Sequence, residues 1–168
     1  MTVPEASRWS VQPGHDEMGH MSTPPFRFRR LDHVVFRVRD VERMLDFYCR
    51  VLGCQPEKEQ PEIGLWQLRA GDSLIDLVDV AGKLGRMGGA APSEQGHNVD
   101  HVCLSVDGYD EVAIVNYLKA QDVRIGEIGM RYGAEGNGPS IYLHDPEGNM
   151  LELKGPPVSL PVARNSRS

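Results

Sequence analysis

Leu31-Asp32-His33-Val34-Val35-Phe36-Arg37-Val38 returns 68 residues later as Val99-Asp100-His101-Val102-Cys103-Leu104-Ser105-Val106. Both copies follow one pattern, [LV]-D-H-V-x-[FL]-x-V, and a long-period repeat of this kind announces an architecture built from similar units. Each copy alternates with period two, as a strand with one apolar face does: Val34, Phe36 and Val38 in the first, Val102, Leu104 and Val106 in the second. The opposite face carries His33, Val35, Arg37 and Arg39, or His101, Cys103, Ser105 and Asp107, so each histidine opens the more polar side.

A helix is predicted after each strand. Asp40 is a suitable N-cap for residues 41–52, whose apolar positions keep helical spacing until Gly53 supplies a stop. Asp110 caps a second helix from Glu111 to about Gln121. Short strands are predicted near 64–69 and 73–80, then near 140–144 and 149–154, the last two joined by the turn Asp145-Pro146-Glu147-Gly148-Asn149. Each half reads β-α-β-β, with room for one further strand to make β-α-β-β-β, and ends in a strand with a carboxylate, Asp76 or Glu152.

The fold class is α+β: two such modules forming a curved, cup-like mixed sheet with helices outside. Module one spans 28–80, a glycine-rich linker 81–97 and module two 98–155, giving one domain over 26–155. The glycine-rich stretches 82–96 and 126–138 contain no phosphate-binding motif and read as flexible connectors that can serve as lids. Residues 1–25 and 156–168 are rich in proline and lack periodicity, so they read as disordered tails. His15 and His20 fall in the first of them, without a rigid frame for a metal.

A chain of 168 residues is long enough for a core without disulfide staples. Three cysteines without a CxxC pair give neither a disulfide framework nor a cysteine zinc site. A net charge of −6 has the wrong sign for neutralising phosphates, so nucleic acid is not an expected partner. With no apolar run of membrane-spanning length and no signal-peptide pattern, a cytoplasmic protein off the membrane is expected.

A lone strand histidine is usually structural, but the repeat changes that reading. Two modules related by a pseudo-twofold bring His33 and His101 to one cavity, and Asp76 and Glu152 lie on the same side because Ile75, Leu77, Leu151 and Leu153 take the helix side. Two imidazoles with one or two carboxylates suit one divalent ion, Fe, Mn, Ni, Co or Zn, and leave coordination positions open for a small-molecule substrate. Arg37 shares the face of His33 and is expected either to hold an anionic substrate or to pair with Asp76 or Glu152. Cys103 reads as a small buried hydrophobe, and His144 as a cap of the last hairpin.

The chain resembles the vicinal oxygen chelate superfamily, which includes glyoxalase I, extradiol dioxygenases, methylmalonyl-CoA epimerase, fosfomycin-modifying enzymes and bleomycin-binding proteins. The resemblance is carried by LDHVVFRV, MLDFYCRVLG, VDHVCLSV and SIYLHDPEGNMLELKG, over roughly residues 28–155. It implies that His33, His101 and Glu152 are metal ligands. The fourth position is glutamate in glyoxalase I and glutamine in the epimerases; Asp76 stands there and ligates directly, through water or not at all. The Ser140-Ile141-Tyr142 segment is similar to the hairpin of extradiol dioxygenases and fosfomycin enzymes, which implies Tyr142 beside a metal-bound substrate and Ser140 among the substrate contacts.

The chain departs from the branches at Val80, Gly133, Tyr132 and Pro161, where glyoxalase, dioxygenase or fosfomycin residues are expected. Glyoxalase-like isomerase or lyase chemistry is the first expectation, with Glu152 or Asp76 moving an α-proton. An Fe(II) dioxygenase on His33, His101 and Glu152 is the alternative, and a non-catalytic binding or resistance protein of bleomycin-binding type is the other. The modules pair either within one chain or across a homodimer.

Overall fold

The computed structural model describes residues 24–158. His15, His20 and most of both expected tails lie outside them. The chain divides into two compact units, up to Leu31 and from Asp32 onward. In the described part of the first, residues 24–31 are exposed and irregular, and the rings of Phe26 and Phe28 meet edge to face at 5.5 Å.

The second unit holds both modules. Module one contains β1 (His33–Val38), α1 (Val41–Leu45), β2 (Gln55–Gln60), β3 (Leu65–Ala70) and β4 (Ser73–Asp79); a short α2 (Lys83–Met87) follows. Module two contains β5 (His101–Ser105), α3 (Glu111–Ala120), β6 (Arg124–Gly133), β7 (Gly136–His144) and β8 (Met150–Lys154). Each module forms its own four-stranded mixed sheet, ordered β1-β4-β3-β2 and β5-β8-β7-β6. The single sheet expected from the repeat is therefore two sheets, each hydrogen-bonded within itself. In both, the first and last strands of the module run parallel side by side, so the repeated histidine strand always neighbours the carboxylate strand.

The expected helix caps are present. Asp40 and Asp110 each accept a hydrogen bond from the backbone N–H three residues on, at Arg43 and Ala113, satisfying a donor that the first helical turn leaves open. The first helix does not stay α-helical: beyond Leu45 it widens into a π-helix over Asp46–Val51, which buries Phe47, Tyr48 and Val51. Gly53 at φ +77° then lets Cys54 N–H reach back to the Tyr48 carbonyl. One apolar core spans both modules, joining Val38, Met44, Phe47, Tyr48, Ile75 and Leu77 to Leu118, Ile141, Leu143 and Leu151.

Neither glycine-rich stretch is a simple connector. Residues 126–138 lie in the β6–β7 hairpin, where a Cβ on Gly133 would come within 2.6 Å of the Lys154 side chain and one on Gly138 within 2.7 Å of the Gly155 carbonyl. These glycines make room for neighbours; they do not supply flexibility. Residues 82–96 begin with α2, and a Cβ on Gly85 would meet the Asp79 carbonyl at 1.9 Å. Among the described residues no helix is long and apolar enough to cross a membrane.

Candidate functional site

Strand register sorts the candidate residues onto faces. Val35 lies beside Asp76, so His33, Val35, Arg37 and Asp76 share one face of the first sheet. Cys103 lies beside Glu152 and Tyr142 beside Glu152 on its other flank, so His101, Cys103, Tyr142 and Glu152 share one face of the second. The opposite faces supply Val34, Phe36, Ile75, Leu77, Val102, Leu104, Leu151 and Leu153 to the core or its margin. The two modules thus repeat an imidazole and a carboxylate on the face turned away from the core.

The second pair is in contact. Nε2 of His101 stands 3.1 Å from Oε2 of Glu152, while Ser140 Oγ donates to Glu152 Oε1 at 2.5 Å. Glu152 is only 4% exposed. Burial alone would push its carboxyl up, but hydrogen bonds from Ser140, Cys103 and Tyr142, with the charge of His101, outweigh it and hold the group below the usual carboxylate range. The Tyr142 ring meets His101 edge to face at 5.2 Å, and the Arg131 guanidinium lies 5.5 Å over it. Burial and the nearby Glu152 charge raise the Tyr142 hydroxyl, which stays protonated and able to donate.

The first pair is more open. Asp76 is 4% exposed; its Oδ2 accepts from Gln67 Nε2 at 3.1 Å, whereas Oδ1 is buried without a hydrogen-bond partner. The His33 ring is raised above its ordinary value chiefly by the hydrogen bond to Asp32, with burial opposing and the charge of Asp76 adding. In both halves Nδ1 of the histidine lies against the preceding aspartate, His33 to Asp32 at 2.9 Å and His101 to Asp100 at 2.8 Å.

For a divalent metal these donors are right in kind, two imidazoles and two carboxylates, and the orphaned Asp76 Oδ1 is an acceptor awaiting a partner. Within the chain they stand as two pairs: among the described residues no group of three His, Cys, Asp or Glu is close enough to hold an ion.

Arg37 takes a different role from the one expected. Its Nη1 donates to the carbonyls of Gly88 and Ala90, and its Nη2 to those of Gly85 and Gly89, so the guanidinium clamps the start of the linker and not Asp76 or Glu152. Ser140 spends its hydroxyl proton on Glu152, which makes it a partner of the carboxylate. Cys103 is exposed, not the buried hydrophobe expected; partial desolvation and the Glu152 charge still push its thiol up to about 11, so it stays protonated. His144 lines a cleft by the Asp145 turn with Arg124, its Nδ1 buried and unpartnered.

Two residues on the site faces escaped the sequence reading. Gln67 was legible in principle, because the two-residue turn Gly71-Asp72 pairs Ala70 with Ser73 and hence Gln67 with Asp76. Lys154 follows Glu152 by two residues and is buried, its ammonium donating to the carbonyls of Arg131 and Gly138. A lysine at a strand end carries no sequence signal of burial.

The family described as Glyoxalase/Bleomycin resistance protein/Dioxygenase superfamily matches residues 30–153, most of the chain. The chain belongs to this superfamily. Among curated relatives of this superfamily member, the mitochondrial methylmalonyl-CoA epimerase of Mus musculus is 30% identical over 139 residues, which cover 79% of this chain and 76% of the epimerase. Among solved structures, an integron cassette protein of V. cholerae matches with TM-score 0.61 and 26% identity, over 77% of this chain and 97% of its own. The lactoylglutathione lyase of Agrobacterium tumefaciens shares the fold at TM-score 0.55 and 18% identity, over 79% of this chain and 96% of the lyase.

Proposed function

We propose that the protein is a divalent-metal-dependent enzyme that moves a proton at a carbon next to a carbonyl, in a small, anionic, oxygenated substrate. The observation that carries this reading is the repeated imidazole–carboxylate pair, His33 with Asp76 and His101 with Glu152, on equivalent strands of the two modules. His33, His101, Glu152 and Asp76 would hold the metal, either within one chain or with the two pairs contributed by two copies in a homodimer. When bound, a divalent ion supplies Lewis-acid polarisation of a carbonyl oxygen, which acidifies the neighbouring C–H.

The chain's own residues do the rest. Asp76, whose Oδ1 is buried and unpartnered, would take and return the α-proton as a carboxylate able to leave the metal, and Gln67 steadies its other oxygen. Glu152 is kept ionised by Ser140 and His101. Tyr142, protonated and beside both, donates to a developing oxyanion. Similarity to methylmalonyl-CoA epimerase supports a carboxylated acyl thioester as the first substrate to try, although Asp76 replaces the glutamine that the epimerases carry there.

The test is deuterium exchange. The protein, loaded separately with Co²⁺, Zn²⁺, Mn²⁺, Ni²⁺ or Fe²⁺ in D₂O without oxygen, is expected to exchange the α-proton of methylmalonyl-CoA or of a glutathione hemithioacetal. Absence of exchange with every metal and both substrates would reject proton transfer as the activity.

A further inference from the structure

We propose that Asp32 and Asp100 are positioning residues: each holds the Nδ1–H of the histidine that follows it, leaving the Nε2 lone pair of His33 and of His101 as the atom that faces a metal. This rests on the metal reading above and names residues that the ligand set itself does not include. The same dipeptide makes the same contact twice, Nδ1 to carboxylate at 2.9 and 2.8 Å, in modules whose histidines lie 68 residues apart.

The contact is not a by-product of strand geometry. Adjacent residues within a strand point to opposite faces, so side chains at i and i+1 do not meet there. Both aspartates sit one residue ahead of the strand, since β1 begins at His33 and β5 at His101, so the alternation of the pleat does not set the direction of their carboxylates.

A neutral imidazole carries its proton on either nitrogen, and the hydrogen bond made by one decides what the other can do. A charge-assisted bond at Nδ1 therefore selects the Nε2 ligand form in both halves. His101 shows where that atom is aimed: its Nε2 lies 3.1 Å from Glu152 Oε2, so the two candidate ligand atoms point to one place, and a metal would take over the contact that the nitrogen now makes with the carboxylate. The carboxylates are themselves largely in solvent, Asp32 76% and Asp100 83% exposed, so replacing them leaves the packed core untouched.

The experiment compares wild type with Asp32→Leu, Asp32→Asn, Asp100→Leu and Asp100→Asn. Two-bond proton–nitrogen correlation on ring-labelled, metal-free protein at about pH 8, above the ordinary imidazole range, reads the tautomer of each histidine. Affinity for Co²⁺ and Zn²⁺ is measured by chelator competition. Wild type is expected to hold the His33 ring as Nδ1–H and to show the His101 Nδ1–H bonded to Asp100, the His101 Nε2 facing Glu152 until a metal takes that place. Each Leu variant should release only the histidine that follows it and lose about 10- to 100-fold in metal affinity, the usual cost of removing an outer-shell partner. The Asn variants, whose amide oxygen still accepts, should keep the tautomer and most of the affinity. Unchanged tautomers in the Leu variants, or wild-type affinity in them, would overturn the proposal. If wild type binds neither ion, the metal reading falls, and the tautomer comparison still decides whether the aspartates set the rings.

Discussion

The Tyr48 hydroxyl donates to Asp145 Oδ2 at 3.1 Å, and both residues are buried although they belong to different modules. Asp145 also accepts from the backbone N–H groups of Glu147 and Asn149 and from the Asn149 side chain, so one carboxylate shapes the 145–149 turn and receives the first helix. Glu147 extends the latch by accepting from the backbone N–H groups of Arg39 and Asp40, where that helix starts. Tyr48→Phe should lower unfolding free energy by about 1 kcal/mol, since Asp145 keeps its other donors. Asp145→Ala should cost about 2 kcal/mol or more, because it strands buried N–H groups as well. Urea unfolding of both variants checks the order; equal losses would show that the link between modules, and not the turn, carries the stability.

His144 gives a pH dependence with a definite sign. Burial, then the charge of Arg124, lowers its ring below the ordinary 6.5. As pH falls through 6.5 the unfolded chain takes up a proton that the folded chain refuses, so stability is lost between 6.5 and the lower folded value. His33 acts oppositely: its raised ring contributes stability at acid pH that is lost as pH rises through its folded value. The difference between wild type and His144→Asn isolates the first effect. The variant should lose less stability than wild type on acidification from about pH 7.5 to about pH 5.5, a window around the ordinary imidazole value. Parallel curves would remove His144 from the balance.

Arg37 organises the linker through the carbonyls of Gly85, Gly88, Gly89 and Ala90. Arg37→Leu should leave them without that donor and lower stability by about 2 kcal/mol, as expected for hydrogen bonds to a charged group. Limited proteolysis should then cut first within residues 85–98. An unchanged cleavage pattern would show that the linker is held by α2 alone.

The repeat made the fold legible, because alternation in LDHVVFRV and VDHVCLSV fixes which side chains share a face, and capping aspartates mark where helices start. The same alternation placed Asp76 and Glu152 on the histidine face. It could not reveal that Arg37 bends to the linker, since alternation gives a side chain's face and not its partner. It also could not show β2, whose sequence QPEKEQ contains no hydrophobic residue: an exposed edge strand needs no apolar alternation. Gly126–Gly138 misled for a related reason, as a glycine that makes room for Lys154 looks in sequence like one that bends.

We propose that Asp76 decides which chemistry the candidate site runs. If it ligates, four protein groups leave two positions for a chelating substrate, and proton transfer needs no oxygen. If it does not, three ligands leave three positions, enough for a bidentate substrate and O₂ on Fe(II). Gln67 draws Oδ2 along the sheet, but Oδ1 remains buried and unpartnered, a state that costs about 1–3 kcal/mol unless something binds there. That cost favours a role for Oδ1 at the metal or at the substrate proton over an idle carboxylate. Asp76→Ala should therefore weaken Co²⁺ or Zn²⁺ binding, abolish α-proton exchange and leave or raise thermal stability in the metal-free protein, while wild type turns over without oxygen. Oxygen consumption at the wild-type rate by Fe(II)-loaded Asp76→Ala would replace proton transfer with dioxygenase chemistry on His33, His101 and Glu152.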